Sequence, residues 1–103
     1  MKNVKITTNW DKKTKKGGWA AICNNVIISG SVLNTTSDKL ALTAMDESTK
    51  KFGNGGGDTL NFVINNYRVI NAIRHPSNSV NCQMARQFKA TMKASGSRYT
   101  FNK

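Results

Sequence analysis

The stretch that most constrains the fold is residues 57–73, GDTLNFVINNYRVINAI. Leu60 to Ile64 is a short apolar run between polar and glycine-rich flanks, which reads as a buried strand. Asn65 and Asn66 then turn the chain straight into a short helix with apolar positions at Val69, Ile70 and Ile73. Upstream, NTTSDKLALTAM (34–45) reads as a loop entering a helix. Thr36, Ser37 and Asp38 are all N-cap candidates, and Leu40, Ala44 and Met45 supply an apolar face. A strand reached through a helix is expected to lie parallel to an earlier strand, so a mixed sheet with a helical crossover follows.

The first thirty residues supply the rest of that sheet. Val4, Ile6 and Thr8 alternate with Lys5, Thr7 and Asn9 at period two, the pattern of a half-buried strand. The turn WDKKTKKGG holds Lys12, Lys13, Lys15 and Lys16, too many cations to pack inside, and is expected to be a solvated, mobile loop. Trp19–Cys23 and Val26–Leu33 read as two strands joined at Asn24-Asn25, a pair that tolerates positive φ and suits a tight hairpin. After Ile73, Pro76 is expected to stop the short helix. NCQMARQFKATMKASG then reads as a helix: Met84, Phe88 and Met92 share one face, Arg86, Lys89 and Lys93 another, and Gly96 marks its end. Tyr99 and Phe101 alternate as in a last strand. The expected order is strands at about 3–9, 18–24 and 26–33, a helix at 37–51, a strand at 59–64, helices at 66–73 and 79–95, and a strand at 98–102.

A chain of 103 residues makes one small domain, 1–103, with a modest single core. Sixteen Lys and Arg against five Asp and Glu give a net charge of +11, a balance that points to a polyanionic partner, most often nucleic acid. No strongly amphipathic basic helix suits a membrane surface, and no segment is apolar enough to span one. Met1-Lys2-Asn3 leads into an alternating strand and not an apolar leader, so a cytoplasmic location is expected. Cys23 and Cys82 lack metal-type spacing; either one disulfide or, more in keeping with that location, two reduced thiols follows. Asn34-Thr35-Thr36 matches a glycosylation sequon, read here as chance. GNGGGD (53–58) lacks the Lys-Ser/Thr of a phosphate loop and leads into a strand, so it reads as a connector.

Three segments together resemble ribonuclease H: ITTNWDKK followed by GGWAAI (17–22), the NTTSDKLALTA segment, and NFVINNYRVINAI. The resemblance implies an α/β fold with a mixed five-stranded sheet, three antiparallel strands plus parallel ones, flanked by helices. It also implies a site whose metal-binding acids are replaced: Asn9 for the first Asp, Ala41 for the Glu and Asn65 for the second Asp. A fourth acid lies past the last strand in the family and is expected to be absent, along with a His-bearing loop. Two-metal cleavage needs hard carboxylate ligands, and two neutral amides do not replace them. Asp46 and Glu47 lie on α-helical positions turned roughly 120–140° from Ala41, whose face is shared by Met45 and Ser48. Asp11 stands alone on the loop rim, and His75, before Pro76, reads as a loop residue. No enzyme activity, metal or cofactor is expected.

Loss of acids leaves a neutral-to-positive face able to hold a phosphate backbone without cutting it. The expected contacts are Lys12, Lys13, Lys15, Lys16, Lys39 and Arg68, with Arg86, Lys89 and Lys93 on the later helix. Ser37, Asp38 and Tyr67 stand where the family places polar minor-groove contacts, and drift after loss of catalysis would equally explain the substitutions. Trp19 is expected in the core. Trp10 is a candidate to stack on a base, touch a partner protein or plug the vacated pocket. The competing expectation is a small inhibitor or adaptor, of the kind phages and mobile elements encode, that docks on a protein. Oligomeric state is left open.

Overall fold

A computed structural model describes residues 2–53, 59–64, 66–75 and 82–102. Its elements run β1 (Lys2–Asp11), β2 (Lys16–Cys23), β3 (Val26–Val32), α1 (Ser37–Phe52), β4 (Thr59–Val63), α2 (Tyr67–Arg74), α3 (Cys82–Ser95) and β5 (Arg98–Asn102). The sheet order is β3-β2-β1-β4-β5. β1, β2 and β3 form an antiparallel meander, while β4 pairs parallel with both β1 and β5. The chain is thus a compact α/β domain with a mixed five-stranded sheet and three helices. The strand and helix types agree with the sequence. The first strand runs two residues past its expected end, because Trp10 and Asp11 still pair with Gly17 and Lys16. Asn65, the connector 54–58, Pro76 and the expected helix start at 79–81 lie outside the described residues.

Period two sorts the sheet into two unlike faces. Val4 and Ile6 of β1, Trp19, Ala21 and Cys23 of β2, and Leu60 and Phe62 of β4 are buried on one face. There they meet Leu40, Ala41, Ala44 and Met45 of α1, Val69, Ile70 and Ile73 of α2, and Phe88 and Met92 of α3. α1 lies across β1 and β2 and packs on α3, which touches α2 and β5. Phe62, Phe88, Tyr99 and Phe101 stack edge to face or tilted with centroids 5.4–6.3 Å apart, closing the β4–β5 side. The opposite face carries Lys5, Thr7, Asn9, Ile22, Ile27 and Arg98, all exposed. The three helices pack on one side of the sheet. On the bare face Asn61 is 9% exposed because Asn3 Oδ1 and Thr100 Oγ1 satisfy its amide at 3.0 and 2.8 Å, a ladder across three strands.

Local signals explain the helix ends. Thr36 caps α1, its hydroxyl accepting from the Lys39 N–H at 3.2 Å, with Asp38 in the first turn and Lys50 and Lys51 in the last. Ser48 and Thr49 survive in the buried helix interior because their hydroxyls donate back to Ala44 and Met45 carbonyls. α3 ends in a Schellman motif: Gly96 has φ 70°, its N–H reaches the Lys93 carbonyl, and the Ser97 N–H reaches Met92. Both cysteines are free, Cys23 buried and Cys82 half-buried. No helix among the described residues is long and apolar enough to cross a membrane.

Candidate functional site

A cleft of about 490 Å³ opens at the carboxyl ends of the parallel strands β1 and β4, where open α/β sheets place ligand sites. Ile6 and Ala41 floor it, and Thr8, Ser37, Asp38, Asn66, Tyr67 and Arg68 form its polar walls. Asn66 joins the two helices that end there. Its Oδ1 accepts from the Arg68 and Val69 N–H groups as the α2 N-cap, and its Nδ2 donates to Asp38 Oδ1 at 3.0 Å. Arg68 Nη1 stands 4.0 Å from Asp38 Oδ2 while the guanidinium side chain remains 82% exposed. Two helix amino termini and one guanidinium therefore border the cleft, with Asp38 drawn into the cap of its neighbour.

The residues present do not fit the two-metal clamp that the family resemblance brings with it. Among the described residues Asp38 is the one carboxylate lining the cleft, and its oxygens are engaged by Asn66 and Arg68. Ala41, 2% exposed, offers no donor atom from its side chain. Among the described residues, no three His, Cys, Asp or Glu side chains group as metal ligands.

Ala41 lines the cleft, but Asn9 does not: it pairs with Gly18 and lies on the opposite sheet face, with Thr7 and Lys5. Thr8 is the β1 residue at the cleft. The reason is parity, because Val4 and Ile6 point to the helices and Asn9 is an odd number of residues from each. Asn65 lies outside the described residues. Met45 and Ser48 share the buried face of Ala41, whereas Asp46, largely buried, and the exposed Glu47 both pair with Lys50, at 3.3 and 3.6 Å. Asp46 is the main cause that pushes the Lys50 ammonium above its ordinary range.

The lysine loop is better braced than its composition suggests. Asp11 clasps it: one carboxylate oxygen accepts from the Lys13 N–H at 3.1 Å, the other from the Thr14 hydroxyl at 2.9 Å. Lys15, at φ 56°, returns its N–H to the Asp11 carbonyl, and its own carbonyl accepts from the Thr35 N–H, both at 2.8 Å. Trp10 fixes the same junction. Its indole N–H donates to the Thr35 carbonyl at 2.9 Å, and its ring packs partly buried against the core. Trp10 is therefore a strut beneath the loop and does not line the cleft. Asp11, discounted as a lone acid, is the residue that sequence reasoning passed over. The signal was its spacing to Lys13 and Thr14, the local turn that Asp side chains favour.

This strut sets Lys12, Lys13, Lys15 and Lys16 beside the first turn of α1, where Lys39 is exposed. The cleft and Arg68 adjoin the same turn through Ser37 and Asp38. Lys93 does not join them. α3 spans about 21 Å at 1.5 Å per residue, and its Lys93 end leads into β5 beside Thr59, at the far end of the parallel strands. Trp19 is core, as expected, with 8% exposure. His75 is an exposed residue at the α2 C-terminus. No protein-family model matches the chain, and no curated protein sequence matches it.

Proposed function

We propose that this chain is a non-catalytic, ribonuclease H-like domain that binds the phosphate backbone of nucleic acid along one edge. That edge runs from the braced Lys12–Lys16 turn, past Lys39, to Arg68 at the cleft. The observation that carries the reading is the docking of the turn on Thr35, which holds a backbone bearing four exposed lysines beside the α1 amino terminus. Cations on a fixed frame neutralise phosphates without first losing the entropy of ordering a loop. The sheet order and the crossover through α1 support the fold assignment. Asp38, the one carboxylate among the described lining residues of the cleft, is already engaged by Asn66 and Arg68, which supports a binding role over a cutting one.

Backbone contacts carry no base information, so RNA–DNA hybrid, duplex and single strand are bound with little sequence preference. The test is fluorescence anisotropy on all three polymers across a salt series, run beside a cleavage assay in Mg²⁺ or Mn²⁺. Salt-sensitive binding without cleavage is the expected result. Cutting that disappears on mutating Asp11 or Asp46 would overturn the non-catalytic reading. Absence of binding to any polymer at low salt, with a protein retained from lysate after nuclease treatment, would replace it with the adaptor role.

A further inference from the structure

The residues that form the outer edge of the sheet are unlike the rest of the chain. Residues 17–37 contain no Lys, Arg, Asp, Glu or His, in a chain whose net charge is +11. β3 is the edge strand of that neutral segment: seven residues, VIISGSV, paired without a bulge to β2 and free of proline. Natural sheets guard such edges with charge, proline, a bulge or a covering element. β3 has none of the first three, and no element covers it among the described residues. Ile27 is 65% exposed, Val26 45% and Leu33, just past its end, 71%. The other edge, β5, carries Arg98.

We propose that β3 pairs antiparallel with β3 of a second copy of this chain, joining two sheets across a two-fold axis. The occupant follows from charge. Two copies at +11 repel over most of their surfaces, and the neutral β3 edge is where backbones can meet without setting cation against cation. Antiparallel pairing also keeps the lysine turns apart. Lys16 lies at the Val32 end of β3, so in the pair it faces the Asn24-Asn25 turn of the other copy, which is uncharged. The bare face lacks aromatic side chains on its exposed positions, which argues against a base-stacking use of the same surface.

Hairpin geometry identifies the groups that make the seam. Asn24 and Asn25, at φ 51° and 68°, form a two-residue turn, so Cys23 and Val26 are a hydrogen-bonded pair. Alternation then turns the N–H and C=O of Ile28, Gly30 and Val32 toward β2, and those of Ile27, Ser29 and Ser31 outward. A seven-residue strand gives a seam of about 23 Å, at the small end of specific interfaces, so dissociation near about 100 μM is expected.

Two variants test this without touching the β2 ladder. Ser29→Pro removes an outward donor at a position where an edge strand accepts proline, and Ile27→Lys adds a charge at the seam. Sedimentation of the nucleic-acid-free parent from about 10 μM to 1 mM is expected to show a monomer–dimer equilibrium centred near about 100 μM. The amide protons of Ile27, Ser29 and Ser31 should gain exchange protection as concentration rises, and Ile28 and Gly30 should not change. Each variant, checked for folding by near-UV circular dichroism, should remain monomeric. A parent that stays monomeric throughout, or a dimer that persists in either folded variant, overturns the proposal.

Discussion

The two hairpins of the meander are turned by the same device and end up with opposite surfaces. Between β1 and β2 the reversal uses Lys15 at φ 56°; between β2 and β3 it uses Asn24 and Asn25 at 51° and 68°. The first tip has no apolar anchor of its own, yet it is fixed by the Asp11 clasp, the Thr35–Lys15 bond and the Trp10 strut. The second needs no clasp, because two residues close it and Trp19 lies over Gly30 beyond it. Position is thus obtained in one case by polar bonds around a cationic turn, and in the other by packing behind an uncharged strand. Electrostatic function can be carried by the first, and association through backbone by the second.

The sharpest way to break that contrast is to discharge the first tip. Replacing Lys12, Lys13, Lys15 and Lys16 with Ala leaves the core untouched, since all four side chains are exposed. With about five phosphates neutralised, the parent's salt slope is near −4.5, so binding weakens about 500-fold between roughly 50 and 200 mM salt. In the quadruple variant the slope should flatten to about −1, and affinity at low salt should fall by about 100-fold or more. An unchanged slope would mean that the tip only solubilises the domain.

The second tip is broken from behind. A Cβ at Gly30 would stand 2.8–2.9 Å from three atoms of the Trp19 indole. Gly30→Ala should therefore lower unfolding stability by about 1–3 kcal/mol, the usual cost of overpacking a core, read as a shift in urea midpoint. Nucleic-acid affinity of the folded variant should match the parent, since the lysine turn stands on β1 and Thr35. Equal stability of the two proteins would show that the ring moves aside at little cost.

A smaller effect separates charge from bracing at the first tip. Asp11→Ala raises the net charge, which by itself would favour polyanions, yet it deletes both clasp bonds. Loss of about 1 kcal/mol of ordering should weaken binding about fivefold. Asp11→Asn keeps an acceptor for the Lys13 N–H and should fall between alanine and the parent. If Asp11→Ala binds more tightly than the parent, charge alone governs and the brace is incidental.

These residues also mark what the sequence could and could not disclose. Alternation in VKIT, the Asn-Asn turn, the Thr36 cap and Gly96 were all local signals, and each element they imply is present. The same alternation puts Asn9 with Lys5 and Thr7, away from the helices. The one-sided helix layer was not legible, because which face a helix covers is set by long-range packing. Nor was the placing of Lys93 at the far end of the sheet from the lysine turn, since shared helix faces say nothing about distance across the sheet. Trp10 gave no local sign of its bond to Thr35, a contact between residues 25 apart in the chain.

The least effect expected concerns the one titratable side chain within the neutral hairpin. Cys23 closes β2 beside the Asn24-Asn25 turn, and burial holds its thiol above the ordinary value of 9.0, with Lys2 pulling weakly the other way. Folding thus keeps the proton on sulfur at a pH where the unfolded chain has begun to release it. The contribution to stability is whole below 9.0 and is lost as pH climbs through the folded value. Tyr99, also raised by burial from 10.0, adds a later loss of the same sign. Urea midpoints should therefore hold between about pH 7 and pH 8.5 and decline above that window. In Cys23→Ala the starting midpoint is lower, but the first part of the decline should flatten, leaving the later portion due to Tyr99 and Lys50. A decline of the same size and onset in both proteins would remove Cys23 as its cause and leave Tyr99 and Lys50 to account for it.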